Sequence, residues 1–193
     1  ILKKAGVTHG FGIPSGNVLP LMDAMRKHDL PFVLTAHEGS AGFAADVMGR
    51  MTGAPGLGIA TLGPGATNLA TGVGSAWLDR SPMIAITCNL NTDQLGRRIQ
   101  MYIDHQQLFA PITKVSIVLR EGSVAETVAK AVRLSLTEPM GPVHLDLPED
   151  VAVAMATETL PDLVAPVPVA TADDADIQAA LAILADAKRP VAI

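Results

Sequence analysis

The sequence predicts an α/β protein: a mostly parallel six-stranded sheet with helices on both faces, followed by the truncated start of a second α/β domain. Three observations carry this. Short β-rich apolar runs alternate with longer segments of helical period, joined by short connections. Hydrophobic residues make up 49% of the chain against 17% charged, a balance that suits strands buried on both sides. Aromatics are only 3%, so the core must be built from Ala, Val, Leu, Ile and Met, which permits close helix–sheet packing.

Strands are expected at residues 9–13, 32–35, 58–61, 83–87, 114–119 and 143–147. Helices are expected at 18–28, 40–52, 66–78 and 123–136. Asn17 and Ser123 read as N-caps, and Pro20 falls in a first turn, where a missing N–H is tolerated. Residues 89–110 show no clear period and read as a long loop with a single helical turn. Pro148 ends the sixth strand, so the first domain is taken as residues 1–150. Pro148, Pro161, Pro166 and Pro168 stand among Ala, Val and Thr, which gives 151–172 the composition of an extended linker. Asp173, Asp174 and Asp176 then open a helix running to about Ala187, with its acids at the favourable end. Lys188-Arg189-Pro190 closes that helix, and Val191-Ala192-Ile193 reads as the first strand of another domain, so 173–193 is its truncated start. The chain opens on what reads as the end of a helix, so residues are expected before Ile1.

Composition also excludes function classes. A net charge of −5 with no cluster of Lys or Arg argues against nucleic acid as a partner. Residues 51–78 carry no charge, but nine of them are Gly or Pro, which divide the stretch into turn, strand and turn rather than a membrane span. Cys88 is the single cysteine, so neither a disulfide framework nor a thiolate metal site is available. It reads as a small buried hydrophobe, and with no signal peptide visible a cytoplasmic location is expected.

Two segments have the chemistry of a site. Ala36-His37-Glu38-Gly39-Ser40-Ala41-Gly42 lies where a strand ends and a helix begins, the edge at which open α/β sheets bind ligands. Ala41, Gly42, Ala44, Ala45 and Gly49 make that helix slim enough to hold the Glu38 carboxylate in a dry crevice. The alternative is a solvated acid that merely favours a helix N-terminus. Thr61-Leu62-Gly63-Pro64-Gly65-Ala66-Thr67-Asn68 is a second strand-to-helix junction, whose glycines let backbone approach a ligand closely. It matches neither a Rossmann fingerprint nor a Walker A loop, and a tight structural turn explains it equally well. Asp46 and Arg50, four apart on one helix, are expected to pair.

Taken together, the motifs form a linked set: His37-Glu38, Ala41, Ala44-Ala45-Asp46, Arg50, Gly53, Pro55-Gly56, Ala60-Thr61, Gly63 to Leu69, Thr71-Gly72, Asp79, Pro82 and Ile86-Thr87. In order and spacing this resembles the pyrimidine-binding domain of acetolactate synthase, pyruvate oxidase and related thiamine diphosphate (ThDP) enzymes. The similarity extends over residues 6–21, 111–114 and 141–148, so about residues 1–150 are covered, and 173–193 resembles the opening of the central domain that follows in such enzymes.

The resemblance implies ThDP as cofactor and a 2-oxo acid as substrate, cleaved beside its carboxylate with transfer of the acyl carbanion to an acceptor. In this family a glutamate hydrogen-bonds N1′ of the aminopyrimidine and favours the imino tautomer, whose 4′ nitrogen removes the C2 proton. Glu38 matches that glutamate, and a carboxylate in apolar surroundings shares a proton more readily than one in water. By the same match Pro64 and Asn68 lie near the pyrimidine, and Pro14 approaches its other side. His37, Gln100 and His105 are candidates on the substrate side; His9, His28 and His144 read as structural. Gln100-Met101-Tyr102 stands where acetolactate synthases carry Phe-Gln-Glu, which leaves a ThDP decarboxylase or acyltransferase open, and a non-catalytic binding module keeping the fold is the reading from another class. No metal ligand is expected here: the Gly-Asp-Gly and Asn-pair motif that binds the diphosphate and Mg²⁺ occurs nowhere in these residues and belongs to a C-terminal domain. Binding of FAD by the central domain is left open. A homodimer or homotetramer is implied, with the site formed between two chains.

Overall fold

A computed structural model describes residues 1–163 and 170–191. Six strands form one sheet: β1 (Gly10–Gly12), β2 (Phe32–Leu34), β3 (Gly56–Ala60), β4 (Met83–Asn89), β5 (Ser116–Val118) and β6 (Pro142–Pro148). Their order is β2-β1-β3-β4-β6-β5, and every neighbouring pair is parallel. The helices are α1 (Leu19–Lys27), α2 (Glu38–Thr52), α3 (Pro64–Leu78), α4 (His105–Phe109), α5 (Val124–Leu136), α6 (Glu149–Val153) and α7 (Asp174–Asp186).

Alternation along the central strands divides the core in two. Leu57, Ile59, Ile84, Ile86, Val143 and Leu145 face α1 and α5, where Val18, Met25 and Ala131 cover them. The opposite face is built from small residues. Ala60, Met83 and Ala85 pack there against Ala45, Ala66, Leu69, Val73 and Ala76 of α2 and α3. Gly56 belongs to this face, and a Cβ on it would collide with the Ala45 backbone. Where α2 crosses α3, a Cβ on Gly72 would stand 2.5 Å from Cα of Gly42. The shortage of aromatic residues is thus put to use in backbone-to-backbone contact.

Several expectations need correcting. Helices α2 and α3 begin two residues earlier than the apolar period suggests, at Glu38 and Pro64. Asn17 does not cap α1, which starts at Leu19 after a 3₁₀ turn (Gly16–Val18). Its amide instead donates to Glu149 Oε2 at 2.9 Å and to the Asn89 carbonyl at 3.4 Å. Ser123 holds the N-cap position of α5 without capping it, because its hydroxyl donates to the Arg120 carbonyl. The free N–H groups of Val124 and Ala125 are taken by Glu158, at 3.0 and 2.6 Å. At the other end of α5, Lys114 Nζ donates to the carbonyls of Leu134, Thr137 and Pro139. An anion at the N-terminus and a cation at the C-terminus both oppose the helix dipole.

The stretch read as linker is therefore ordered at its start: α6 extends to Val153 and Glu158 is bound to α5. Residues 89–110 contain a 3₁₀ turn (Thr92–Gln94) as well as the whole of α4. Helix α7 forms where the acids suggest, with Asp173 accepting from the Asp176 N–H at 2.8 Å, and it is exposed along its length. Pro166 and Pro168 and most of the strand expected at 191–193 lie outside the described residues. Among the described residues no helix is long and apolar enough to cross a membrane.

The helix crossing is open to test. Overpacking a filled contact costs about 1–3 kcal/mol, so Gly72→Ala is expected to lower stability by that amount in urea unfolding. Gly16→Ala, where a Cβ meets nothing within 4 Å, is expected to stay within about 0.5 kcal/mol of the parent. Equal midpoints for the two variants would remove the crossing as a steric constraint.

Candidate functional site

Chain direction across the sheet reverses at β1, which sends one connection to β2 on its left while β3 lies on its right. Ligands of open α/β sheets bind at such a switch point, beyond the carboxyl ends of the strands. Three sequence motifs converge on that edge. The Pro14 turn follows β1, Glu38 begins the helix after β2, and Gly63-Pro64-Gly65 follows β3.

Glu38 is the first residue of α2 and is 8% exposed. Asn68 Nδ2, on the first turns of α3, donates to its Oε2 at 3.0 Å. Among the described residues, Oε1 accepts no hydrogen bond. Gly65 stands beside it, where an added Cβ would lie 3.4 Å from Oε1. A nearly buried carboxylate with one oxygen held and the other free can accept a hydrogen bond from a further donor. Pro64 and Pro14 are exposed.

His37 lies beside this acid in sequence but performs a local task. Its Nδ1 accepts the Gly39 N–H at 3.0 Å and so caps α2, while the ring stays exposed. Gln100 is exposed in a turn and makes no hydrogen bond among the described residues. Asp46 and Arg50 do pair, with Nε 3.3 Å from Oδ1 but not aligned for a hydrogen bond. Arg50 also reaches Asp79, and Ser75 donates to Asp46, so the group fastens α2 to α3.

His105 is not a loop histidine. It opens α4, is 1% exposed, and belongs to a buried polar cluster with Thr87 and Asn89 of β4 and His144 and Asp146 of β6. Thr87 stands opposite Asp146 in the β4–β6 register. Asn89 Nδ2 donates to both Asp146 oxygens at 3.1 and 3.0 Å, and the Thr87 hydroxyl donates to Oδ1 at 3.2 Å. His144 lies between Thr87 at 2.8 Å and Ser116 at 2.6 Å, and stacks on Phe109 with ring centroids 4.1 Å apart. The signal for this cluster was present in the sequence. His144 and Asp146 are a polar pair at i, i+2 on a strand expected to be buried on both sides, and Asn89 follows Thr87 at i+2, just past the strand expected at 83–87. Polar side chains on one face of a buried strand require partners.

Fold and crevice together define the class, a parallel α/β domain with a buried acid at its topological switch point. The family described as thiamine pyrophosphate enzyme, N-terminal TPP binding domain, matches residues 1–108, and the chain belongs to that family, on its acetolactate synthase-like side. It is 42% identical over 151 residues to a probable acetolactate synthase large subunit of Methanocaldococcus jannaschii, covering 78% of this chain and 26% of that one. It is 36% identical over 194 residues to an acetolactate synthase of Bacillus subtilis, covering 100% and 34%. It is 34% identical over 193 residues to acetolactate synthase isozyme 1 large subunit of Escherichia coli, covering 98% and 34%. The chain thus spans about a third of the length of the curated relatives it matches.

Burial pushes His144 down from its ordinary 6.5 to about 3, with the His105 ring adding to the effect and Asp146 opposing it. The folded chain refuses a proton there that the unfolded chain accepts below about pH 6.5, so stability falls as pH drops through that window, by at most about 1.4 kcal/mol per pH unit. His144→Gln, which cannot titrate, is expected to flatten the dependence of the urea midpoint between pH 6.5 and 4.5. Parallel slopes for variant and parent would show that His144 is not the residue resisting protonation.

Proposed function

We propose that this chain is the pyrimidine-binding part of a ThDP-dependent enzyme that cleaves a 2-oxo acid and passes the acyl unit to an acceptor, in the manner of acetolactate synthase. The observation that carries the reading is Glu38: a nearly buried carboxylate at the switch point, with Oε2 held by Asn68 and Oε1 left open. That donor set fits the cofactor, since an aminopyrimidine nitrogen that must gain a proton needs a fixed carboxylate oxygen facing it. When bound, ThDP supplies the electron-accepting thiazolium that makes cleavage beside a carboxylate feasible.

The chain's own residues bind and orient. Glu38 Oε1 holds a proton against N1′ of the pyrimidine. Asn68 keeps that carboxylate from rotating, and Pro14 and Pro64 would stand near the pyrimidine when it is bound. The close α2–α3 contact keeps water out from behind the acid, which strengthens the hydrogen bond at its face. Ligands for the diphosphate and Mg²⁺ come from elsewhere in the full-length protein, in keeping with the fraction of the relatives spanned here. Residues 1–150 are the binding domain, and 173–193 open the next one.

Assembly into at least a dimer is part of the same reading. Phe43, Val47 and Met51 form an exposed stripe at i, i+4, i+8 on α2, and Trp77 and Leu78 are exposed at the end of α3. Exposed apolar surface of this kind next to a site favours coverage by another subunit.

In the full-length protein, Glu38→Gln keeps shape and a hydrogen-bonding amide but cannot share a proton as a carboxylate does. Exchange of the cofactor's C2 proton for deuterium, followed by NMR, is expected to slow by about 10²- to 10⁴-fold, and turnover with it. ThDP affinity is expected to change far less. Asp23→Asn, on the exposed outer side of α1, is the control; Asp46 is unsuitable because it is buried between α2 and α3. C2 exchange at the parental rate in Glu38→Gln would make Glu38 an ordinary helix-end acid.

A further inference from the structure

The turn that leads into α3 is unusual in how it is held. Gly63 has φ +60, and a Cβ there would run into the Met101 backbone. Met101 is itself left-handed, at φ +66. The segment 101–105 therefore presses on the turn from one side, and it does so with one directed bond: the buried Gly63 N–H donates to His105 Nε2 at 3.3 Å. Pro64 follows as the first residue of α3, so the next residue in the chain offers no N–H in its place.

We propose that His105 is a positioning residue for the thiamine site: it fixes the Gly63 turn, and through it the placement of Pro64, Gly65 and Asn68 against Glu38. The inference rests on the reading of that crevice given above. A backbone N–H only donates, so Nε2 carries a lone pair and the ring proton sits on Nδ1. Nδ1 lies 3.0 Å from Asp146 Oδ1, and Asp146 is fixed in turn by Asn89 and Thr87. A continuous chain of contacts thus runs from β6 through His105 to Gly63, along the first turns of α3 to Asn68, and across to Glu38.

The other groups near His105 leave it this task. Donor atoms of His105, His144 and Asp146 lie within 4.8 Å of one another, a spacing that also suits a metal. Each is already engaged, His144 by Thr87 and Ser116 and Asp146 by the Asn89 amide, the Thr87 hydroxyl and His105. The lone pair of His105 that leaves the cluster is the one turned to Gly63. A rigid acceptor locked by a partner behind it is how supporting shells hold a site in register.

Two substitutions divide the ring's two contacts. His105→Asn places an amide nitrogen where Nδ1 was and keeps Asp146, but does not reach Gly63. His105→Gln places a carbonyl oxygen near the position of Nε2, keeps an acceptor for Gly63 and gives up Asp146. In the intact protein without cofactor, deuterium uptake at the peptide containing Gly63 is expected to speed up on the order of tenfold in His105→Asn, the effect of losing one buried hydrogen bond, and to stay within about threefold in His105→Gln. With ThDP bound, C2 proton exchange is expected to follow the same order, slowed about tenfold in Asn and about threefold or less in Gln, while both variants lose thermal stability. Parental protection of Gly63 in His105→Asn would overturn the proposal, and so would equal slowing of C2 exchange in the two variants, which is what a purely structural histidine gives. If Glu38→Gln also leaves C2 exchange untouched, the failure lies with the thiamine reading, and protection at Gly63 alone then decides the role of His105.

Discussion

At the crossing of α2 and α3 the two backbones meet through Gly42 and Gly72, with no side chain between them. Glu38 precedes Gly42 by four residues and Asn68 precedes Gly72 by four, so each stands about one helical turn back from the crossing on the same face. The 3.0 Å bond between them is the geometric result of that approach. Any larger residue at the crossing would separate the helices and, with them, the amide from the acid. The same economy recurs further along: Gly49 of α2 lies against the Pro82 backbone and Gly56 of β3 against Ala45. Helix α2 is seated by its backbone on three neighbours, which makes its N-terminus a fixed point rather than a frayed end.

Three carboxylates are buried among the described residues, and they differ in how fully their surroundings satisfy them. Asp146 receives the Asn89 amide, the Thr87 hydroxyl and the His105 ring. Asp46 has the Ser75 hydroxyl and the charge of Arg50. Glu38 has Asn68 alone. A buried charge is costly unless paired, so Glu38 is the least supported of the three. The ordering is also spatial: the fully satisfied acid lies deep between β4 and β6, while the under-satisfied one lies at the mouth of the switch point.

Much of this was legible in the sequence because it is written in local pattern. Strand–helix alternation, the slim face of α2, and the glycines around Pro64 are all visible in runs of a few residues. So was the pairing of Asp46 with Arg50, which needs only helical spacing. What escaped reading depends on partners far apart in the chain. His105 meets Gly63 across 42 positions and Asp146 across 41, and no local period announces either contact. His37, a substrate-side candidate in the sequence, also caps its own helix N-terminus by accepting the Gly39 N–H. Glu158 escaped for the opposite reason: proline-rich composition around it signals extended chain, and extended chain can still end on a helix dipole.

That last contact closes a clasp on the outer layer of the domain. Glu158 accepts from Val124 and Ala125, so the ten positions from Pro148 to Glu158 lead from the end of β6 back onto α5. A closure made by one charge is loosened by salt, while the apolar packing beneath it is not, so ionic strength acts on this clasp before it acts on the core.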